Sequence, residues 1–135
     1  KKEAAMVEAI ASQSGSLKEF LAKYIEAYIA FMAEHAAILR AIMQRAAIDP
    51  VVSPCGKEAG HKALSGTADV ILSFRDEIKG DDPRGKSEAV LHMIFASVAR
   101  QFGLGVSAEA GDPLIWEKLR PQLYEMAYAY LIYSD

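Results

Sequence analysis

Apolar residues recur at three- and four-residue steps along nearly the whole chain, the spacing that lines one face of an α-helix. Alternating β-branched runs and Asn-Gly hairpin signals are missing, so the pattern predicts an all-α protein. A short opening helix is predicted over about 3–11, closed by Ser12-Gln13-Ser14-Gly15. Ser16 and Glu19 then have the S-x-x-E spacing of a capping box, in which each side chain satisfies a backbone N–H at a helix start. Leu17, Phe20, Leu21, Tyr24, Ile25, Tyr28, Phe31 and Met32 follow on an arc covering roughly half of that helix, so it must touch several neighbours. Lys18, Glu19, Lys23, Glu26 and Glu34 hold the other side.

A turn or kink is expected at His35-Ala36. The shorter helix after it turns Ile38, Leu39, Ile42, Met43 and Ala46 inward and Arg40, Gln44 and Arg45 outward. Asp49-Pro50 should end it, because proline disfavours helix in the residue before it, leaving 51–56 as a loop or single turn. The next helix, over about 57–79, carries a stripe of Leu64, Thr67, Ile71, Phe74 and Ile78, with Gly60 in line. Gly80-Asp81-Asp82-Pro83-Arg84-Gly85 breaks the pattern. A helix opened by Ser87 or Gly85 then runs to Phe102, where Gly103-Leu104-Gly105 stops it. Asp112 as N-cap with Pro113 at the first helical position opens a final helix to about 133, with Pro121 placed to kink it.

The last two helices carry a large apolar surface. In the first, Val90, Leu91, Ile94, Phe95, Val98 and Phe102 form a core stripe. Ala89, Met93, Ala96 and Ser97 form a second face, small enough for another helix to approach to about 8 Å. In the second, Trp116, Leu119, Leu123, Met126, Ala127 and Tyr130 share one arc, extended by Tyr124, Tyr128 and Leu131. Both helices are either central in a monomer core or paired with a second copy as a four-helix interface, and the breadth of apolar surface favours the pair.

With 135 residues, 52% of them hydrophobic and 24% charged, the chain is expected to form one folded domain over 1–135. Lys and Arg number 15 against 18 Asp and Glu, a net charge of −3, which lacks the basic footprint of a nucleic-acid binder. The single cysteine, Cys55, cannot form an internal disulfide, so a reducing, cytoplasmic setting is expected and Cys55 is read as incidental. No apolar run approaches the ~18 residues of a membrane span, and no signal-peptide pattern opens the chain. Because the sequence begins at Lys1, a preceding segment is expected.

The layout resembles the C-terminal ligand-binding and dimerisation domain of TetR-family transcriptional regulators. Ser16-Leu17-Lys18-Glu19-Phe20-Leu21 through Tyr28-Ile29-Ala30-Phe31-Met32 is similar to the family's first regulatory helix. His35-Ala36-Ala37-Ile38-Leu39-Arg40 resembles its His-Pro-x-hydrophobic-hydrophobic turn, with Ala36 in place of the proline, and Ala46-Ala47-Ile48-Asp49-Pro50 is like the segment before its long middle helix. The helices at 87–102 and 113–133 stand where that family places its dimerisation helices. The resemblance covers nearly all of the chain. It implies a bacterial, cytoplasmic homodimer, a small hydrophobic or aromatic effector, and repressor-type DNA binding only through N-terminal helix-turn-helix heads that this chain lacks. The helix at 3–11 would then be the tail of the link between the two halves. Dimer contacts are expected from Ala89, Met93, Ala96, Ser97, Leu123, Tyr124, Ala127, Tyr130 and Leu131.

Catalytic signatures are absent: there is no P-loop, no H-E-x-x-H and no G-x-S-x-G elbow. His35, His61 and His92 lie on separate segments, so no metal or cofactor is expected, and the chain is not read as an enzyme. Tyr24, Tyr28, Phe31, Met43, Leu64, Phe74 and Phe95 are the expected apolar lining of an effector site, with His61 beside them. Tyr24, Tyr28, His61, Thr67, Arg75 and His92 are its polar candidates, since a tyrosine supplies ring and hydroxyl together. The same aromatic spacing also suits plain core. Two rivals therefore stand beside the regulator: a helical interaction or scaffold module without a small-molecule site, and a small helical enzyme whose site leaves no motif.

Overall fold

The computed structural model describes residues 2–46, 48–49, 52–102 and 116–134. Their elements are α1 (Lys2–Ser12), α2 (Leu17–Ala46), α3 (Val52–Ile71), a 3₁₀ segment (Leu72–Glu77), α4 (Pro83–Gln101) and α5 (Trp116–Ile132), with no strand among the described residues. The all-helical class agrees with the periodicity. None of these helices is long and apolar enough to cross a membrane.

The core gathers on the first half of α2. Leu17, Phe20, Leu21, Tyr24, Ile25, Tyr28, Ile29 and Met32 are all buried there, and α1, α3, α4 and α5 each pack against this helix. Val7 from α1, Ala68 and Ile71 from α3, Ile78, then Val90, Leu91, Ile94, Val98 and Ala99 from α4, and Leu123, Ala127 and Leu131 from α5 complete the cluster. The capping box at the start of α2 forms. Ser16 Oγ accepts the Glu19 N–H at 3.2 Å, and Glu19 Oε2 accepts the Gly15 N–H at 3.2 Å, one residue before the N-cap N–H that the motif usually engages. Glu19 also meets the Lys23 ammonium at 2.8 Å; that pairing first, and the Gly15 N–H second, hold its carboxyl below the ordinary range.

Several boundaries differ from the sequence reading. No turn occurs at His35-Ala36, because α2 continues through it to Ala46. Alanine is the strongest helix former, and with Ala36 and Ala37 in place of a proline nothing interrupts the ladder. The His35 side chain lies along the same helix, its Nδ1 2.9 Å from the Phe31 carbonyl. The second difference is that α3 starts at Val52 rather than near 57; Pro54 falls in the first turn, where the N–H it lacks would have no intrahelical partner. The third is that the α-helix ends at Ile71, short of 79, and tightens into the 3₁₀ segment, where Phe74 leaves helical geometry at φ −104°, ψ 24°. The Gly103–Gly105 stop, the Asp112-Pro113 start and the Cys55 side chain lie outside what is described.

Between the 3₁₀ segment and α4, Gly80 turns the chain at φ +96°, a left-handed conformation suited to glycine. The Asp82 carboxylate accepts the Gly85 N–H at 3.0 Å and Pro83 takes the first position of α4, so this helix begins inside the run read as a breaker. A Cβ at residue 85 would meet the Asp82 carboxylate in its capping position, so a larger residue there would have to turn that side chain aside.

Continuity of α2 alters the fate of its second half. At 1.5 Å per residue, 30 residues extend about 45 Å, against about 26 Å for the 17 residues of α5. Met32 is the last fully buried residue of α2. Ile38, Ile42 and Met43, expected to point inward, are instead exposed, Ile38 at 62%. Arg40, expected outward, is half-buried and donates to the Phe102 carbonyl at 2.6 Å, where a cation also complements the negative end of α4.

This continuity is directly testable. Ala36→Pro should remove one ladder bond and clash with the preceding turn, costing about 3 kcal/mol or more. Urea unfolding followed by circular dichroism should show a lower midpoint and lost helicity. Wild-type stability in this variant would mean the helix is already bent at His35.

Candidate functional site

The residues expected to line an effector site divide into two groups. Tyr24 and Tyr28 are buried on α2 in a ladder of nearly parallel rings. Phe20 and Tyr24 have centroids 5.7 Å apart, and Tyr24 and Tyr28 are 5.6 Å apart. Phe74 from the 3₁₀ segment tilts onto Phe20 at 5.5 Å. Leu64 and Phe31 are half-buried against the same core. Met43, His61 and Phe95 stand apart from this cluster on exposed surface, as do the polar candidates Arg75 and His92.

Around the two tyrosines lies a polar inclusion in an otherwise apolar layer. Thr67 of α3 is buried beside the Tyr24 hydroxyl and donates its own hydroxyl to the Ala63 carbonyl at 3.0 Å. Glu3 of α1 is near enough to act on both phenols. Burial first, then the neighbouring Tyr28 and Glu3, pushes the Tyr24 phenol well above its ordinary value. Burial first, and Glu3 second, does the same to Tyr28. Burial likewise raises the Glu3 carboxyl. The arrangement can orient a hydroxyl or carbonyl group, but the rings themselves fill the space.

Two surface grooves stand out, and neither is lined by any of the expected ligand residues. One, of about 210 Å³, lies between α2 and α5, with Ala22, Ile25, Glu26, Arg120, Pro121 and Tyr124 around it. The other, of about 590 Å³, lies between α1 and α3 and is bordered by Glu8, Asp69 and Gly66, among others. Both are open to solvent. Among the described residues no group of three or more His, Cys, Asp or Glu side chains could hold a metal ion.

The surface expected to meet a second copy also divides. Leu123, Ala127 and Leu131 are buried within the protomer and have no area left to give a partner. They recur every four residues and face the chain's own helices, so their assignment to the surface is corrected to core. Tyr124 is half-buried on the α2 side, in the smaller groove. Ala89, Met93 and Ser97 are half-buried on α4, and Ala96 is exposed. Tyr130 is 41% exposed.

Lys86 shows how these two helices meet. Its ammonium crosses from α4 to the Tyr133 carbonyl at 2.6 Å and the Tyr130 carbonyl at 3.2 Å, and lies over both tyrosine rings. The edge of α4 that continues from Lys86 at helical spacing is Ala89, Met93 and Ser97. On the α5 side, Met126 and Tyr130 of the helix and Tyr133 just beyond its end are all exposed. Lys86 links the two edges of this strip at its Tyr130–Tyr133 end. Tyr133 and Lys86 were missed in the sequence; the 126-130-133 spacing was visible, but no local signal says which arc of a broadly apolar helix is left uncovered.

The comparisons are blank. No family model, curated protein or solved structure matches this chain. The strip and the tyrosine cluster therefore have to be read from their own chemistry.

The tyrosine cluster makes a prediction about pH. In the folded chain both phenols hold their protons above the unfolded value of about 10. Their contribution to stability is therefore full below about pH 10 and is lost as pH rises beyond it. Urea midpoints measured from about pH 8 to about pH 11.5 should fall at the alkaline end. Replacing Tyr24 and Tyr28 together by Phe should flatten that fall, and an unchanged slope would remove the two phenols as its cause.

Proposed function

We propose that this chain is the effector-sensing and homodimerisation domain of a TetR-like transcriptional regulator. The observation that carries the proposal is the exposed apolar group of Met126, Tyr130 and Tyr133 at the end of α5, beside the half-buried Ala89 and Met93 and the exposed Ala96 of α4. A second copy placed by a two-fold axis would bring two such helix pairs together as a four-helix interface, with the same patch on both sides. Small residues on α4 let the helices approach closely, and the aromatic residues of α5 supply the area.

In this reading the Tyr24–Tyr28 cluster, with Phe31, Leu64 and Thr67, recognises a small apolar or aromatic effector, and the hydroxyls fix its orientation. Because the rings fill their own space, the effector must bind an arrangement in which α1 or α3 has moved aside. Only a ligand that prefers one arrangement shifts the equilibrium. The shift would alter the spacing of DNA-binding heads placed ahead of α1, and operators read such spacing.

A second reading has its own support. The packed ring ladder, and the absence of the expected residues from either groove, suit a helical interaction or scaffold module that takes no small molecule.

Light scattering at tens of micromolar should give a dimer mass. Met126→Glu should yield a monomer with an unchanged helical spectrum, since the side chain is 43% exposed in the protomer. A monomeric wild type removes the interface. A thermal-shift screen with small aromatic and aliphatic compounds separates the two readings, because a ligand of the folded form raises its melting point. A dimer that no compound stabilises favours the interaction module.

A further inference from the structure

We infer that residues 72–86 form a strap that couples the first turn of α2 to the last turn of α5, so that releasing the strap from one of these ends loosens its hold on the other. The two ends are far apart in sequence, and each has backbone groups that its own helix cannot satisfy. At the start of α2, the Leu17 N–H donates to Glu77 Oε2 at 2.9 Å. At the end of α5, the Leu131 carbonyl accepts the Lys79 N–H at 2.9 Å. Two residues of the same strap therefore hold both ends. Phe74 adds a ring contact to Phe20 on the α2 side, while Lys86 adds its bonds to the Tyr130 and Tyr133 carbonyls on the α5 side.

The strap's backbone suits transmission. Its 3₁₀ segment consists of short turns that meet at a kink at Phe74, where the backbone leaves helical geometry. Ile78 is extended and buried, so the chain between Glu77 and Lys79 is short and anchored. A change in the position of Glu77 must move the Lys79 N–H with it. Coupling of this kind is reciprocal. The inference concerns this chain alone and stands whether or not the domain belongs to a regulator.

Amide hydrogen exchange on the whole chain tests it. Glu77→Ala removes the acceptor for Leu17 and should speed exchange by about tenfold at the start of α2, the scale of one lost hydrogen bond to a charged group. The same variant should speed exchange at 127–132 of α5 while leaving the middle of α4 unchanged. Glu77→Gln keeps an acceptor oxygen and should restore most of the protection. Ser16→Ala is the control: it removes the other cap of α2, the bond to the Glu19 N–H, without touching the strap, and should leave α5 unaffected. Lys86→Met supplies the reverse measurement, with faster exchange at the Leu17 amide. The inference is overturned if the Glu77→Ala effect stays within α2, if it spreads evenly through every helix, if Ser16→Ala reproduces it in α5, or if Lys86→Met leaves Leu17 unchanged.

Discussion

The inward face of α2 from Leu17 to Met32 is the surface on which α1, α3, α4 and α5 all pack, and the positions of those helices follow from it. Eight of its side chains are buried, including the three aromatic rings of the Phe20–Tyr24–Tyr28 ladder. Each large apolar side chain so buried contributes about 1.5–3 kcal/mol relative to exposure, before the entropy of ordering it is counted. Close packing transmits errors, so a ring displaced at Tyr24 would be felt by Tyr28, Thr67 and Phe20 together. The ladder is therefore a scaffold first, and any ligand that uses its hydroxyls has to compete with the packing that holds them.

Around that face, helix ends are joined by side chains from distant parts of the chain. Glu77 completes the start of α2, Lys86 and the Lys79 N–H complete the end of α5, and Arg40 completes the end of α4. These bonds leave fewer orphan backbone groups at the periphery. They also place charged groups at helix ends where the dipole favours them: Glu77 at an N-terminus, Arg40 and Lys86 at C-termini. Asp69 and Glu88 both meet Arg84, linking the end of α3 to the first turns of α4. Those pairs are exposed, so their contribution to stability is small.

Among the described residues two exposed apolar surfaces differ in kind. The α4–α5 strip combines small residues, flexible methionine and tyrosines, and lies along two helices already locked together by Lys86. That combination suits a self-complementary contact between copies. The other surface is the distal half of α2, where Ile38, Ile42 and Met43 have lost the neighbours that a bend at His35 would have given them. One arises from the composition of two helices, the other from the length of a single helix.

The helical class, the capping box at Ser16 and Glu19, and the buried arc of α2 were legible in the amino-acid sequence, because each depends on neighbours within about one turn. The helix-forming Ala36 and Ala37 were legible too, and they favour the unbroken helix over the turn expected at His35-Ala36. The start of α4 was hidden for a related reason: Asp82-Pro83 is the same pair of start signals as Asp112-Pro113, but it sits among glycines that read as a breaker. Burial of Leu123, Ala127 and Leu131 against exposure of Met126, Tyr130 and Tyr133 was decided only in three dimensions. A broadly apolar helix offers several equivalent arcs, and periodicity cannot choose between them; the choice falls to whichever arc the neighbouring helices reach. The same holds for the strap, since the pairing of Glu77 with Leu17, 60 residues away, leaves no local trace. Short-range spacing therefore set the elements, and long-range packing set which of their faces remain available to a partner.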